Sequence, residues 1–541
     1  MSHLFDITDF GAVGDNQTKC TQAFRDAIDA ASSAGGGTVV VPAGTYFTGA
    51  IHLKSNIHLH LVHGSTIRFS ADWQSEDDFP FVESRWAGTE LWMYSPCVFG
   101  KDLENVSITG KGTFDGDPKE WWDYFFSELR GVEQEDEVPN SPRAKQLAEL
   151  NKGRYEDTDC GGRGLGAMIL RPPLMELNNC TNVRLDGFTN QNSPFWNTHL
   201  LYCENVTVHD VTFKNPNGSP NGDGLDLDSC RGVRVSNCFF DVNDDCLCLK
   251  SGMNDDGHRV GKPTEYVTIT NCTMLRGHGG VVMGSDGAGG IRNVTVTNCV
   301  FSGTQRGIRL KSNRFRYSKF EDIRFDNIIM QDVTAPIVMN LYYTCGGNEN
   351  NYHIIQDPNY IESIESTPRI RNIHLSNITA RGKIAAAGII VGLPEEPITG
   401  VTLDNVIIEG PPRDSACVPA MVFGLPEMNG DGIYGRHIRD LTVRNSTIGA
   451  AQGYAINMTD VDGLELAGVR LGTGGDVPVV KLIDAKNVSI RNCRAGDGPA
   501  AFLATEGAAC DAIELRDNRT GTRDLLATGD DVPTDAICTD G

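Results

Sequence analysis

The sequence has no long apolar run and no basic segment near its beginning. No stretch approaches the roughly 18 consecutive apolar residues that a membrane-spanning helix needs. The first residues, Met1–Asp6, include neither the basic region nor the apolar run of a secretory signal. Both absences argue against a membrane partner, and we expect a cytoplasmic protein.

Positive charge is also scarce. The chain carries 47 Lys and Arg residues against 71 Asp and Glu residues, which gives a net charge of −24. Nucleic acids and anionic membranes bind to basic surfaces, so this balance argues against both as partners. An anionic sugar can still bind if its site contains local cations that overcome the global field.

The cysteines lack the spacing of a zinc site. The chain has 16 of them, and none forms a C-x-x-C pair. Several lie in strand-like runs, among them Cys238, Cys272, Cys299 and Cys493, and are predicted to act as small buried hydrophobes. We therefore expect reduced structural thiols, no metal and no cofactor.

What the sequence does contain is a repeat. Nine short runs alternate apolar and polar residues with the period of a half-buried strand. They are Val206–Asp210, Val233–Asn237, Val267–Asn271, Val294–Asn298, Ile323–Asn327, Ile373–Asn377, Val401–Asn405, Leu441–Asn445 and Val488–Asn492. Most follow one another at about 27 to 34 residues, the length of one coil of a solenoid. Longer intervals indicate inserted loops, or a coil with a weaker signature near Leu464–Leu466.

The fifth position of each run is Asn, except for Asp210 in the first. Asn tolerates the left-handed backbone and bonds to neighbouring backbone groups at turns. We therefore expect the chain to turn a corner there, and the stacked Asn side chains to form an amide ladder.

The sequence thus predicts an all-β fold, a parallel β-helix in which stacked coils share one core. Apolar residues at helical spacing predict a helix over residues 17–33 that caps the first coil. Two stretches with little alternation, 118–165 and 345–368, are predicted loop insertions. Since no linker interrupts the pattern, we expect one domain over residues 1–541.

Four short clusters bring chemistry to this scaffold. They are Asn221-Gly-Asp-Gly, Asn243-Asp-Asp-Cys, Gly277-His-Gly and Arg309-Leu-Lys. If the coils stack, three carboxylates, one imidazole, one guanidinium and one ammonium lie on one face. That set suits acid/base cleavage of a glycosidic bond beside a carboxylated sugar.

Local spacing places these side chains only in part. Asp244 and Asp245 are adjacent, so on a regular strand they would point to opposite faces, whereas at a bulge or corner both could face outward. Arg309 and Lys311 are separated by one residue and share a face of a strand. Arg binds a carboxylate through two hydrogen bonds, and Lys adds a point charge.

The four clusters, in this order, resemble the signatures of glycoside hydrolase family 28, the polygalacturonases. Residues 9–15 and 42–46 resemble the N-terminal part of that family, so the resemblance extends over roughly residues 5 to 500. Gly222 stands where the family usually has Thr. The resemblance implies a right-handed parallel β-helix and inverting hydrolysis of α-1,4-galacturonosyl linkages in pectic oligosaccharides.

The resemblance also implies roles for residues of this chain. It makes Asp244 the general acid, while Asp223 and Asp245 hold the attacking water. His278 lies next to the acid. Arg309 and Lys311 bind the galacturonate carboxylate at the cleavage site.

Four further residues are candidates for substrate binding. Lys250 follows the acidic pair, His199 lies one coil before Asp223, and Asn221 stands beside Asp223. Tyr342 resembles an aromatic residue that borders the reducing-side sugar in the family. Asp226 and Asp228 also follow Asp223, and we expect at least one of them to be a turn or ladder residue.

Two features favour an exo-acting enzyme. Long insertions at the corners can close one end of a groove, and the run Ser193–His199 resembles exo-type members of the family. An enzyme without an export signal would trim imported oligomers, as expected of a bacterial cytoplasmic protein.

Other functions stay open at this stage. A relative with the same clusters could hydrolyse rhamnogalacturonan. A pectate-lyase-like enzyme of the same fold would use the three aspartates as calcium ligands and eliminate rather than hydrolyse. A carbohydrate-binding solenoid of the tailspike type would leave the ordered acidic and cationic clusters unexplained.

Overall fold

The structure is a computed structural model that describes residues 4–126, 141–154, 171–345 and 351–539. Two compact units divide the chain. Unit 1 runs from Met1 to His278 and includes Asp286–Ile291, and most of the remaining described chain forms unit 2. The expectation of one domain over 1–541 stays a prediction.

Unit 1 consists of parallel strands in three columns, each strand pairing with its equivalents in the coils before and after it. Column 1 contains β1 (Leu4–Asp6), β3 (Gly37–Val41), β6 (Ile57–Leu61), β11 (Glu104–Gly110), β14 (Thr181–Asp186), β17 (Glu204–His209), β20 (Arg231–Ser236) and β23 (Thr264–Thr270). Column 2 contains β2 (Asp15–Lys19), β4 (Gly44–Thr48), β7 (Ser65–Phe69), β12 (Thr113–Asp115), β15 (Thr189–Gln191), β18 (Thr212–Lys214), β21 (Phe239–Asp241) and β24 (Thr273–Leu275). Column 3 contains β5 (Ile51–His52), β10 (Val98–Lys101), β13 (Met175–Asn178), β16 (Thr198–Leu201), β19 (Leu225–Asp228) and β22 (Asp245–Lys250).

Unit 2 is built in the same way from longer strands. One series contains β25 (Gly279–Gly284), β27 (Arg306–Lys311), β29 (Ala335–Asn340), β31 (Ala386–Val391), β33 (Asp431–Arg444), β35 (Ile456–Ala467), β37 (Val480–Ile483), β40 (Ala501–Glu506) and β43 (Asp524–Thr528). A second contains β26 (Ile291–Ser302), β28 (Lys319–Gln331), β30 (Arg369–Arg381), β32 (Ile398–Glu409), then β33 and β35 again, β38 (Lys486–Arg491), β41 (Asp511–Arg516) and β44 (Ile537–Thr539). The third, beside β32, contains β34 (Thr447–Gly449), β36 (Arg470–Gly472), β39 (Arg494–Asp497) and β42 (Arg519–Gly521).

The apolar positions of the repeat form the core because they stack in register. In column 1, Val206 pairs with Val233 and Val233 with Val267, and all three side chains are buried. The weak coil is also real, since Leu464 lies between Leu441 and Val488 in the same series. The predicted all-β, parallel β-helix class is confirmed.

The corner asparagines adopt the predicted left-handed backbone. All nine fifth positions have φ between 52° and 57°. Some also form the amide ladder, as where Asn327 donates to Asn298 (2.7 Å). The sequence analysis missed a second ladder in unit 1, in which Asn105 donates to Asn56, Asn182 to Asn105 and Asn205 to Asn182.

The predicted capping helix is α1 (Thr21–Ser33). It buries Phe24 and Ile28 and packs against β1, β3 and β5, the first strands of unit 1. It begins later than predicted because residues 15–19 form β2 and pair with β4. An N-terminal cap is thus present, with a shorter helix than the spacing indicated.

The insertions supply the other helices and one hairpin. The predicted insertion 118–165 contains α2 (Lys119–Tyr124) and α3 (Pro142–Leu150), and 345–368 contains α5 (Tyr352–Ile355); parts of both lie outside the described residues. A short helix, α4 (Asn254–Val260), follows β22. The sequence analysis did not predict the antiparallel hairpin of β8 (Phe81–Trp86) and β9 (Thr89–Tyr94), which stands between β7 and β10.

None of the helices in the described part of the chain is long and apolar enough to cross a membrane.

The second asparagine ladder offers a test of the corner chemistry. Asn182 has φ 59° and both donates and accepts a ladder bond. We expect Asn182→Ala to lower the free energy of unfolding by roughly 2 kcal/mol, through lost hydrogen bonds and a strained backbone. Asn182→Gly should cost about half as much, because glycine accepts this backbone. Denaturant unfolding measures both, and equal losses would exclude the left-handed conformation as a cause.

Candidate active site

Three carboxylates converge on one point of unit 1. Oxygen atoms of Asp223, Asp244 and Asp245 all lie within 4.8 Å of one another. Asp223 and Asp245 are 4% and 1% exposed, whereas Asp244 is partly exposed. The stacking that the sequence predicted therefore brings the three acids together.

The backbone at the start of column 3 makes this convergence possible. Asp245 is the first residue of β22, and its N–H donates to Asp244 Oδ1 (2.9 Å). The pair thus lies at a corner rather than in a regular strand, where the two side chains would diverge. Gly224 lies directly against β22, because a Cβ atom there would stand 2.4 Å from the Cys246 carbonyl oxygen.

His278 contacts the acid that the resemblance identified. Its Nδ1 lies 3.0 Å from Asp244 Oδ1, and its backbone N–H donates to the Asp244 carbonyl oxygen (3.0 Å). The preceding Gly277 has φ 96°, and a Cβ atom there would approach the same carbonyl oxygen to 2.5 Å. The glycine therefore permits the close approach that seats the imidazole on Asp244.

Burial and mutual repulsion hold protons in this cluster. Burial, followed by the charges of Asp244 and Asp226, raises the pKa of Asp223 well above its usual range, although Lys250 opposes the shift. The proximity of three carboxyls means that they do not all carry a full negative charge together. The site can therefore provide both a protonated and an ionised carboxyl group.

Lys250 and Asp226 lie beneath the carboxylates. Lys250 Nζ is 3.5 Å from Asp226 Oδ1 and 3.6 Å from Asp286 Oδ2, and it stands 4.4 Å from the centre of the Trp196 ring. Both Asp226 and Asp228 are fully buried on β19, so the expectation of a turn or ladder residue is wrong. Sequence periodicity did not indicate that outward-facing side chains of column 3 would be covered.

His199 is not positioned to touch a substrate, contrary to expectation. Its side chain is fully buried, with Nδ1 3.0 Å from Glu176 Oε2 and Nε2 3.4 Å from Asp228 Oδ2. Arg85 of the hairpin donates to Asp228 Oδ1 (2.7 Å). Burial lowers the pKa of His199, but hydrogen bonds to the two carboxylates outweigh it and raise that pKa to about 9.

Three charged residues around the site were missed for different reasons. Glu176 occupies the same strand register as His199 and Asp226, so a comparison of the strand positions could have found it. Arg85 belongs to an antiparallel hairpin outside the repeat, and no signal in the sequence predicts its contact. Asp286 follows a strand and belongs to no recognised cluster.

Asn221 contacts a different residue from the one expected. It has φ 53°, its backbone leads into Asp223, and its side-chain oxygen accepts a hydrogen bond from Arg171 (2.9 Å). Arg171 also donates to the carbonyl oxygens of Pro194 and Pro220. Asn221 thus helps to fix the loop before Asp223, and a direct role in substrate binding stays a prediction.

The predicted cationic pair lies in unit 2. Arg309 and Lys311 share one face of β27, as their spacing predicted, and the ring centre of Tyr343 lies 5.6 Å from the Arg309 guanidinium and 5.2 Å from Lys311 Nζ. Arg309 also donates to the sulfur of Met421 (3.4 Å). This cluster has the charge and the donors to bind a carboxylate.

Tyr342 is not the aromatic residue of that cluster. It is fully buried, and its hydroxyl lies 3.5 Å from the guanidinium of Arg314. Successive side chains of an extended segment point in opposite directions, so Tyr343 faces the cations when Tyr342 faces inward. The role of Tyr342 beside the reducing-side sugar stays a prediction, and the burial of its side chain argues against it.

Two groups of described residues have ligand atoms close enough to hold a metal ion. They are Asp223 with Asp244 and Asp245, and Asp223 with Asp226 and Cys248. The ammonium of Lys250 already stands beside the second group and supplies a positive charge there. The absence of a metal therefore stays a prediction.

The pKa of His199 generates a stability test. Because its folded value of about 9 exceeds the ordinary 6.5, its contribution is complete below about pH 6.5 and is lost as the pH rises through 9. We expect the free energy of unfolding to fall by roughly 3 kcal/mol more in the wild type than in His199→Gln between pH 6.5 and 10. Denaturant unfolding across that range measures the difference. His63→Gln, a change at an exposed histidine, is the control and should behave like the wild type. A His199→Gln stability curve that runs parallel to the wild-type curve would contradict a charged His199.

Comparisons with known proteins agree with this geometry. The family model described as "Glycosyl hydrolases family 28" matches residues 153–422, and "Rhamnogalacturonase A/epimerase, pectate lyase-like" matches residues 4–119. A probable polygalacturonase of Vitis vinifera is 30% identical over 415 residues, which cover 75% of this chain and 74% of that protein. An exopolygalacturonase of Zea mays is 24% identical, covering 75% and 83%.

A solved structure gives the same result. The hyperthermoactive exopolygalacturonase from Thermotoga maritima is 34% identical with a TM-score of 0.64, and the match covers 76% of this chain and 88% of that one. The matched family segment contains all four clusters of acidic, imidazole and cationic residues. The extent and identity of these matches, on a site with this geometry, show that the chain belongs to glycosyl hydrolases family 28.

Proposed function

We propose that this protein is an inverting, exo-acting galacturonidase that cleaves terminal α-1,4-galacturonosyl linkages of pectic oligosaccharides. The observation that carries the proposal is the convergence of three carboxylates, one of which is paired with His278. Hydrolysis of a sugar acetal needs an acid at the leaving oxygen and a base at a water molecule. Polygalacturonase relatives support the choice of substrate.

The contacts assign the roles within the trio. Asp244 is the most exposed of the three carboxyls and the one that touches His278, so it protonates the leaving oxygen. Asp223 and Asp245 are nearly buried and hold the attacking water between them. His278 orients the acid through Asp244 Oδ1.

The short separation of the carboxylates bears on the stereochemistry. Inverting enzymes commonly separate acid and base by about 6.5–9.5 Å to admit a water between them. Here the nearest oxygens lie within 4.8 Å. Because two aspartates can share the water, we propose that inversion does not require the wider spacing. The anomeric configuration of the product therefore tests the proposed inversion directly.

The cations of unit 2 supply selectivity for a charged sugar. Arg309 and Lys311 bind the carboxylate of a galacturonate unit, and Tyr343 lies against both. A chain with a net charge of −24 needs such a local site to bind an anionic substrate.

Exo action is supported by the covered face of column 3. The outward side chains Glu176, His199 and Asp228, in the coils at and before the one that carries Asp223, are all fully buried. The hairpin covers them: Ser84 donates to Glu176, Arg85 to Asp228, and Trp86 stacks on Phe195 with ring centres 5.0 Å apart. A polymer cannot extend over this face, so the substrate must end beside the carboxylates.

The cytoplasmic location also stays a proposal. An exo-acting enzyme that trims short oligomers fits such a compartment, since long pectic polymer would not be present there.

Substitution of the acid tests the reaction. We expect Asp244→Asn to reduce kcat on digalacturonic acid by about 10³-fold or more, because protonation of the leaving group is lost. In the wild type, NMR of the fresh product should show the β anomer, released by inversion. Asp210→Asn, the same change at a corner position, is the matched control and should retain full activity.

Other outcomes of that assay would redirect the proposal. A product that absorbs in the ultraviolet, with activity lost to a chelator, would indicate a calcium-dependent lyase. Activity on rhamnogalacturonan fragments without activity on galacturonides would indicate the sister specificity. Release of the α anomer would exclude inversion.

The hairpin can be tested separately. Trp86→Ala removes the stacking on Phe195 and should loosen the hairpin over column 3. We expect the variant to release some oligomers from polygalacturonate, at least several-fold more than the wild type, which releases monomers. Trp92→Ala, on the other strand of the hairpin and only partly buried, is the control. Chromatography of early products measures the ratio, and an unchanged monomer pattern in a folded Trp86→Ala protein would contradict the role of the hairpin.

A further inference from the structure

Lys250 is a buried cation that lies behind the carboxylates. Its side chain is only 6% exposed, and it ends the strand β22 that Asp245 begins. Three different elements surround its ammonium group: Asp226 on β19, Asp286 after β25, and the Trp196 ring before β16. A substrate would have to displace these contacts to reach it.

Asp226 depends on this cation. Its carboxylate is fully buried, and neither oxygen accepts a hydrogen bond from any described residue. At 3.5 Å, the Lys250 ammonium forms an ion pair but not a hydrogen bond with it. A buried carboxylate without hydrogen bonds is costly, so its charge depends on nearby cations.

This ion pair adjoins the proposed base. Ligand atoms of Asp223, Asp226 and Cys248 lie within 4.8 Å of one another. Asp226 and Cys248 occupy the same register of neighbouring strands, and Lys250 follows Cys248 two positions later on the same face. A charge on Asp226 or Lys250 therefore interacts strongly with the carboxyl group of Asp223.

The groups that face this region carry more negative than positive charge. The acids are Asp223, Asp226, Asp244, Asp245 and Asp286, with the Cys248 thiol beside them, and the cations are Lys250 and, beyond Asp226, His199. His199 already forms ion pairs with Glu176 and Asp228, and Arg85 forms one with Asp228. Lys250 is thus a cation close to acids that do not belong to that buried network.

We propose that Lys250, paired with Asp226, is a positioning residue that favours the ionised, basic form of Asp223, and that it does not bind the substrate. The proposal rests on the proposed function, in which Asp223 holds the attacking water. Without the ammonium, the crowded acids would take up a proton and Asp223 would lose its basic form. Without Asp226, the repulsion on Asp223 would fall.

The electrostatic environment is consistent with this assignment. Burial raises the pKa of Asp226 to about 7 even though Lys250 and His199 oppose the shift. Burial disfavours the charge of Lys250, but surrounding acidic groups, with Asp286, Asp226 and Asp223 among them, outweigh it and raise the pKa of Lys250 well above its ordinary value. Lys250 therefore stays charged, and its ammonium opposes the rise in the pKa of Asp223.

A series of charge-neutralising variants tests the proposal. The variants are Lys250→Met, Asp226→Asn and the double variant, with Lys262→Met as a control cation in the same unit. For each, kcat and KM on digalacturonic acid are measured from pH 3.5 to 8. Lys250→Met should move the acidic limb of kcat/KM to higher pH by about one to two units, Asp226→Asn should move it to lower pH, and the double variant should lie near the wild type.

A role in substrate binding gives a different result. If Lys250 binds the substrate, Lys250→Met should raise KM at every pH and leave the acidic limb of kcat/KM in place. The second substitution, Asp226→Asn, should then not restore KM. That result would overturn the proposal. Lys262→Met should retain the wild-type profile. An unchanged KM together with an unchanged limb in Lys250→Met would overturn it as well.

A second measurement separates this proposal from the proposed function. Loss of the ammonium in Lys250→Met should raise the folded pKa values of the acids further, so that they hold protons up to a higher pH. The variant should therefore lose stability relative to the wild type as the pH rises from 4 to 7. Thermal unfolding across that range detects the loss even if the protein does not act on galacturonides. A pH-independent difference in melting temperature would mean that Lys250 does not control the charge of the cluster.

Discussion

In-register hydrogen bonding between parallel strands of successive coils is the interaction on which the structure depends. It repeats each position of a coil directly above its equivalent, so that Val206, Val233 and Val267 form one apolar column. The same rule acts on polar residues. It stacks asparagines at corners, and it concentrates acids wherever several coils carry an acid at one register.

That concentration is both the source of the chemistry and its electrostatic cost. Asp223, Asp244 and Asp245 could not be so close in water without taking up protons, and further acids lie beneath them. Two of the cations that offset this charge lie in different elements. Arg85 belongs to the hairpin, and Lys250 ends the strand that Asp245 begins. The cluster of acids is therefore accompanied by buried cations, with Arg85 and Lys250 among them.

Sequence reasoning succeeded where the argument was one of periodicity. It found the strands, the left-handed asparagine corners, the convergence of the aspartates and the contact of His278 with Asp244. It failed where an element outside the repeat intervened. The hairpin contacts Glu176 and Asp228, the two partners of His199, which is buried rather than exposed to a substrate. Tyr343 rather than Tyr342 lies against the cations.

The sequence by itself determined the repeat, and with it the fold class and the clusters that meet when coils stack, because register follows from alternating apolar residues. Only the tertiary structure decided which of the stacked side chains face solvent and which are covered. That distinction separates Asp244 from Asp228, which bonds to Arg85 of an antiparallel insertion that lies far away in sequence. Local patterns carry no information about such contacts, since they report only on residues that are close together in the chain.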